Sequence, residues 1–230
     1  MTYIYLMNDF LEKGYVFLKS VYTKENCHKL LHEFIQFYQE HHIQSHLNKR
    51  EDSKTDYFYV NNTFNTLNSF HKQQYYYLPV IDNKGTHDRI CDIGMIDFYN
   101  IQKLIPNILE YFDIKVMSAI LFKLTQKEWK CDRINLQMNN NVQNPQNYHY
   151  DSHEENIKFS IYLCDVKEME EGPLSFIENT TKNKKFLNNQ IKFFYGESGD
   201  VLISSQHGFH KKCPQKNSIS YYLVFNFVKK

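Results

Sequence analysis

Arg133-Ile134-Asn135-Leu136-Gln137-Met138-Asn139 alternates polar and apolar residues without a break. Successive side chains of a strand point to opposite faces, so Arg133, Asn135, Gln137 and Asn139 share one face and Ile134, Leu136 and Met138 the other. This period of two marks a half-buried strand and decides the fold class. It recurs over Ile157–Leu163, where Lys158, Ser160 and Tyr162 oppose Ile157, Phe159, Ile161 and Leu163. Further strands are expected at Ile191–Tyr195, Val201–Ser204 and Ser218–Phe227. Between them, Asp165 to Leu174 reads as a strand end, an acidic turn and a restart at Gly172-Pro173. Several short strands separated by turn signals argue for a sandwich or barrel.

Upstream the period lengthens. Gly14–Lys19 reads as a short strand after a turn. Thr23 then caps a helix to about Glu40, on which Cys27, Leu30, Leu31, Phe34, Phe37 and Tyr38 form one apolar stripe. Helices are also expected over Ile101–Phe112 and Lys115–Leu124, with Pro106 marking a first turn or a break in the former. Residues 42–77 are polar and tyrosine-rich without a steady period and read as loops with short strands, a candidate lid or interface. Trp129 reads as structural. The expected fold is therefore mainly β with flanking α-helices: a double-stranded β-helix (jelly-roll, cupin-like) core with the N-terminal helices packed outside. With only 7 Gly and 5 Pro, no linker divides the 230 residues. One domain over 1–230 is expected, with 1–130 as a helical and loop cover and 131–230 carrying the main strands.

Composition excludes several classes. The net charge of +1 gives no field suited to nucleic acid or a membrane surface. No apolar run approaches a membrane span, and the N-terminus lacks the basic flank of a secretion signal. The five cysteines (Cys27, Cys91, Cys131, Cys164, Cys213) are scattered with no C-x-x-C, so neither a zinc knuckle nor a dithiol site is indicated. Scattered thiols fit a reducing cytoplasm. The expected partner is a small molecule; the sequence is silent on oligomeric state.

One motif carries chemistry. His149-Tyr150-Asp151 is followed 61 positions later by His210. Two imidazoles and a carboxylate on one face of a metal ion form the facial triad of non-haem Fe(II) oxygenases, which leaves positions open for a co-substrate and O2. A jelly roll brings sequence-distant strands side by side, which would set His210 against His149 and Asp151. Two rivals are chemically competent. His153 and Glu155 form an H-x-E, but sit in the next turn, where solvated charge is the ordinary reading. Spacing alone does not separate His207 from His210.

These residues, in their order, resemble the phytanoyl-CoA dioxygenase family of Fe(II)/2-oxoglutarate-dependent oxygenases. The similarity extends over nearly the whole chain. It includes the opening Phe10–Lys19, the stretches Gly94–Tyr99 and Lys103–Pro106, the H-x-D at Tyr148–Ser152, Lys158–Val166 with the turn Glu171-Gly172-Pro173-Leu174, Gly199-Asp200-Val201-Leu202, and Gly208-Phe209-His210-Lys211. The resemblance favours His210 over His207. It implies Fe(II), 2-oxoglutarate and O2 as cofactor and co-substrates, His149, Asp151 and His210 as metal-binding and catalytic residues, and hydroxylation, desaturation or epimerisation at an unactivated C–H bond with release of succinate and CO2. Related halogenases replace the carboxylate with a small residue, so Asp151 implies hydroxylase-type chemistry. The substrate is not implied.

Two departures stand out. Asn179-Thr180-Thr181 replaces the Gly-Ser-His usual after the Gly-Pro turn and is read as a surface-turn difference. Many members carry an arginine about ten residues after the distal histidine, which binds the far carboxylate of 2-oxoglutarate; here Ser220 aligns best and no arginine is present. A buried carboxylate needs a cation or several donors. Lys158 is the candidate, with Lys216 and Arg133 as alternates and Ser220 as an added hydroxyl donor. Gln137 and Asn139 offer amides to 2-oxoglutarate or substrate. Tyr162 and Arg133 complete the candidates for substrate contact or support. Two other readings compete: a jelly-roll binding protein for a sugar or metabolite without turnover, and a cupin-type metalloenzyme that does not use 2-oxoglutarate.

Overall fold

The computed structural model describes residues 3–40, 57–60, 63–66, 76–79, 94–151, 154–181 and 190–230. Its framework is two antiparallel sheets. The larger has nine strands: β1 (Tyr15–Leu18), β2 (Tyr57–Val60), β3 (Thr63–Thr66), β4 (Tyr76–Pro79), β5 (Met95–Tyr99), β6 (Trp129–Asn140), β7 (Asn156–Tyr162), β10 (Val201–Ser205) and β12 (Ile219–Lys229), in the order β1-β10-β7-β12-β6-β5-β4-β2-β3. The smaller has β8 (Leu174–Ile177), β9 (Ile191–Phe194) and β11 (His210–Lys212), in the order β11-β8-β9. A bridge between His149 and His210 lays the H-x-D segment along the free edge of β11. From residue 129 onward the chain passes repeatedly between the two sheets, with β6 and β7 in the large one, β8 and β9 in the small one, then β10 in the large, β11 in the small and β12 in the large, which is the expected double-stranded β-helix.

The sheet faces separate by chemistry. Ile134, Leu136, Phe159, Ile161, Leu223 and Phe225 are buried on the outer face of the large sheet, against the helices. Between the sheets, Tyr162, Phe176, Phe194, Leu202 and Tyr222 form a second, smaller core. Polar residues share that inner face and line the cavity described below.

Helix α2 (Lys24–Glu40) begins where expected, with the Thr23 hydroxyl accepting from the Asn26 amide at 3.2 Å. Cys27, Leu30 and Phe34 of its stripe are buried; Leu31, Phe37 and Tyr38 pack at the margin. The helix expected over Ile101–Phe112 is instead a 3-10 turn at Ile101–Lys103 and a four-residue α3 (Ile108–Tyr111). Pro106 lies between them: it has no amide hydrogen to donate and pushes its predecessor away from helical geometry. Helix α4 (Ile114–Thr125) is capped by Asp113, which accepts from the Lys115 amide at 2.7 Å, and buries Met117, Leu121 and Leu124. Helix α1 (Tyr3–Lys13) is not foreseen from the sequence. Trp129 is buried, with its indole nitrogen donating to Thr125 at 2.7 Å. Much of the candidate lid lies outside the described residues; its described parts are β2, β3 and β4. Among the described residues no helix is long and apolar enough to cross a membrane.

Asp200 ties β1 to the head of β10. Its carboxylate is 2% exposed and accepts from Lys19 Nζ at 2.8 Å, from the Ser20 amide at 2.8 Å and from the Glu197 amide at 2.7 Å. Lys19 is largely exposed and stays hydrated without it, whereas the two amides are part-buried and lose a charged acceptor. An Asp200→Ala protein is expected to lose about 1–3 kcal/mol of unfolding free energy, the cost of hydrogen bonds to a charged group. Urea titration of both proteins checks this.

Candidate metal centre

Register places the cavity residues in rows across the large sheet. Arg133 pairs with Asn226, Asn226 with Lys158 and Lys158 with Ser204. The next row is Asn135, Val224, Ser160 and Leu202; then come Gln137, Tyr222 and Tyr162, and last Asn139 with Ser220. The rows face the small sheet across a cavity of ≈ 340 Å³, which the first two rows and Gln137 and Tyr222 of the third line, while Tyr162, Asn139 and Ser220 lie buried beyond it. Rows stand about 6.5–7 Å apart along the strands.

The structure brings His149, Asp151 and His210 together, with one ligand atom of each within 4.8 Å of the others. The backbone sets this up. The His149 amide donates to the His210 carbonyl at 3.1 Å, the His210 amide returns the bond at 2.9 Å, and the Asp151 amide donates to the Gln206 carbonyl at 3.1 Å. Asp151 Oδ1 lies 3.2 Å from His149 Nε2, and Oδ2 lies 3.2 Å from His210 Nε2.

The outer ring nitrogens settle the tautomers. His149 Nδ1 lies 2.7 Å from the Asn147 carbonyl and His210 Nδ1 3.0 Å from the Gly208 carbonyl. A carbonyl oxygen only accepts, so each Nδ1 carries the hydrogen. In the neutral rings both Nε2 lone pairs then face the lone pairs of Asp151. Short of protonating both imidazoles, the contact is satisfied by a cation among all three, and this is the usual outer support of a metal-bound histidine. Lys158 supplies part of that charge: its ammonium bonds Asp151 Oδ2. Burial works against the charged carboxylate, but the Lys158 ammonium beside it outweighs burial and holds Asp151 below the usual carboxylate range.

The rivals fall elsewhere. Glu155 is ion-paired to Lys127 at 2.7 Å, and His153 lies outside the described residues. His210 lines the cavity, whereas His207 does not. Gln137 and Arg133 line the cavity too, Gln137 donating to Asp97 Oδ1 at 3.2 Å and the Arg133 guanidinium lying 5.0 Å above the Tyr99 ring. Asn139 and Tyr162 do not; both are fully buried, and Tyr162 donates to the Phe194 carbonyl at 2.9 Å. Ser220 is buried at the far row. Lys216 is exposed and off the cavity.

Two residues escaped the sequence reading. Thr180, expected in a surface turn, is fully buried: its hydroxyl donates to the Ile177 carbonyl at 2.7 Å and accepts from the Phe209 amide at 2.8 Å, tying β8 to the residue before His210. Lys212 lines the cavity and was passed over. Its signal was present, since residues two apart on a strand share a face and His210 was already placed.

No protein-family model matches the sequence, and no curated relative does. Solved structures do. AviO1 from Streptomyces viridochromogenes Tue57 superposes with a TM-score of 0.65 at 12% identity, over 99% of this chain and 95% of that one. The non-haem alpha-ketoglutarate-dependent epimerase SnoN from nogalamycin biosynthesis gives 0.61 at 11%, over 98% and 82%. HygX from Streptomyces hygroscopicus, solved with nickel and 2-oxoglutarate bound, gives 0.56 at 10%, over 97% and 86%. At these identities the likeness establishes the fold.

Proposed function

We propose that this chain is an Fe(II)- and 2-oxoglutarate-dependent oxygenase of a small metabolite, with His149, Asp151 and His210 as its metal ligands. The observation that carries the reading is the acceptor set itself: two Nε2 lone pairs and a carboxylate converge, with both Nδ1 hydrogens committed to backbone carbonyls. Two nitrogens, one carboxylate and an adjoining cavity suit iron(II) with exchangeable positions better than a closed structural site. Structural neighbours whose names include alpha ketoglutarate or bound 2-oxoglutarate support it.

Iron held there would supply, with 2-oxoglutarate and O2, the oxidising power to attack an unactivated C–H bond, with succinate and CO2 released. The chain's own part is placement. The Asn147 and Gly208 carbonyls fix both rings. Lys158 holds the second Asp151 oxygen. Asp97, Gln137 and Arg133 offer charged and amide groups to a polar substrate. Asp151 fills the position that a halide would need, so hydroxylation, desaturation or epimerisation is favoured. A phytanoyl-CoA dioxygenase-type member fits the motif order.

The test is to add Fe(II) and then 2-oxoglutarate to the metal-free protein without oxygen and record the visible spectrum. A weak charge-transfer band, absent in His149→Ala, is the expected result. Iron binding without the band would favour a cupin-type metalloenzyme that uses another co-substrate; no iron binding would favour a binding protein without turnover.

A further inference from the structure

Resting on that reading, we infer that Lys212 is the cation that receives the far carboxylate of 2-oxoglutarate, with the Ser220 and Tyr222 hydroxyls as companion donors. Lys212 and Tyr222 line the cavity, and Ser220 is buried beside them. Lys212 reaches from the small sheet to the large one, where its ammonium donates to Ser220 Oγ at 2.8 Å and lies 5.2 Å from the centre of the Tyr222 ring. Gln215 Nε2 also donates to Ser220 Oγ, at 3.0 Å. Both lone pairs of that hydroxyl are therefore used and its hydrogen remains to be donated. The Tyr222 phenol is fully buried and finds no well-aligned partner. A bond between the two hydroxyls would use one hydrogen and leave the other. An ammonium and at least one uncommitted hydroxyl hydrogen beside it suit a carboxylate.

Position selects among the cavity's cations. A five-carbon dicarboxylate separates its carboxyl carbons by about 5 Å in the extended form, four C–C bonds of about 1.5 Å each. If one end is at the metal, the cation for the other must be displaced from it. Lys158 is not, since it bonds a metal ligand directly. Arg133 lies in the same row as Lys158. Lys211 lies 4.8 Å from the Tyr148 ring. Lys212 is two residues beyond His210 on β11, about 6.5–7 Å along the strand, and its ammonium ends at Ser220 on β12.

The experiment is calorimetric titration of 2-oxoglutarate and of 2-oxobutyrate, which lacks the far carboxylate, into Fe(II)-loaded protein without oxygen. Lys212→Met is expected to weaken 2-oxoglutarate binding about 100-fold while 2-oxobutyrate and iron affinities stay within threefold. Lys212→Arg is expected to stay within tenfold of the parent for all three. Tyr222→Phe, which deletes one oxygen, should show the same selective loss at about five- to tenfold, so the test holds even if Lys212→Met disturbs folding. Unchanged 2-oxoglutarate affinity, or equal loss for both acids, would overturn the assignment; selective loss in Lys158→Met instead would move the anchor to Lys158. A parent protein that binds iron but neither acid would refute the co-substrate reading itself.

Discussion

An Asp151→Ala protein is expected to bind iron(II) about 100- to 1000-fold more weakly than the parent and to show no turnover. Four-ligand zinc sites are worth about 10–16 kcal/mol, or about 2.5–4 kcal/mol per ligand, and one ligand of that size is a factor of this order. Asp151 is also the anionic member of the triad, so its loss leaves two neutral imidazoles beside the Lys158 ammonium. The fold should tolerate the change. The Asp151 and Lys158 side chains are 25% and 30% exposed, so solvent screens their attraction and the freed ammonium turns to water. Unfolding of the metal-free variant should fall within about 1 kcal/mol of the parent, which urea titration and anaerobic metal titration together check. A variant that kept its iron affinity would remove Asp151 from the ligand set.

A Gly208→Val protein is expected to be damaged in both stability and metal affinity. A Cβ at Gly208 would lie 1.9 Å from Phe176 Cζ, far inside contact distance. Phe176 has little freedom to withdraw: it is buried, sits opposite His210 in the β8–β11 pairing, and lies parallel to the His210 ring with centroids 6.3 Å apart. Gly208 also provides the carbonyl that holds His210 Nδ1. Overpacking of this kind costs about 1–3 kcal/mol, sometimes more. Displacing the outer partner of a metal-bound histidine costs about 10- to 100-fold in affinity. Phe176→Leu in the same protein makes room and should restore part of both losses, because the two residues are in contact. Urea and metal titrations of the single and double variants measure the coupling; no rescue would mean that the backbone at 208, rather than the ring, is responsible.

The strands from residue 129 onward were legible because their two faces meet different surroundings. Ile134, Leu136 and Met138 face the helices while Arg133, Asn135 and Gln137 face a wet cavity, so the sequence alternates. Helix α2 was legible from its cap and stripe. Helix α1 was passed over although Thr2, a residue type favoured at helix starts, stands directly before Tyr3 in the sequence. The broken helix around Pro106 was a choice between first turn and break, and burial of Ile105 and Ile108 on either side stabilises the break. His207 and His210 share a loop, and only the pairing of β11 with the H-x-D segment separates them. Thr180 acts between β8 and the residue before β11, and nothing in a linear pattern announces a partner that lies 29 residues away; Lys212 shares a face with His210, but its partner on the opposite sheet is not legible from that.

The alternation on β5 and β6 has a further meaning for how such a protein changes over time. Met95, Asp97, Tyr99, Arg133 and Gln137 face the cavity, while their sequence neighbours Ile96, Phe98, Ile134 and Leu136 hold the helices. Recognition and stability are thus written on interleaved but separate letters of the same strands. If the proposed function holds, mutational drift at the odd positions can explore new substrates while the even positions keep the scaffold intact, so specificity can diverge without the chain having to refold.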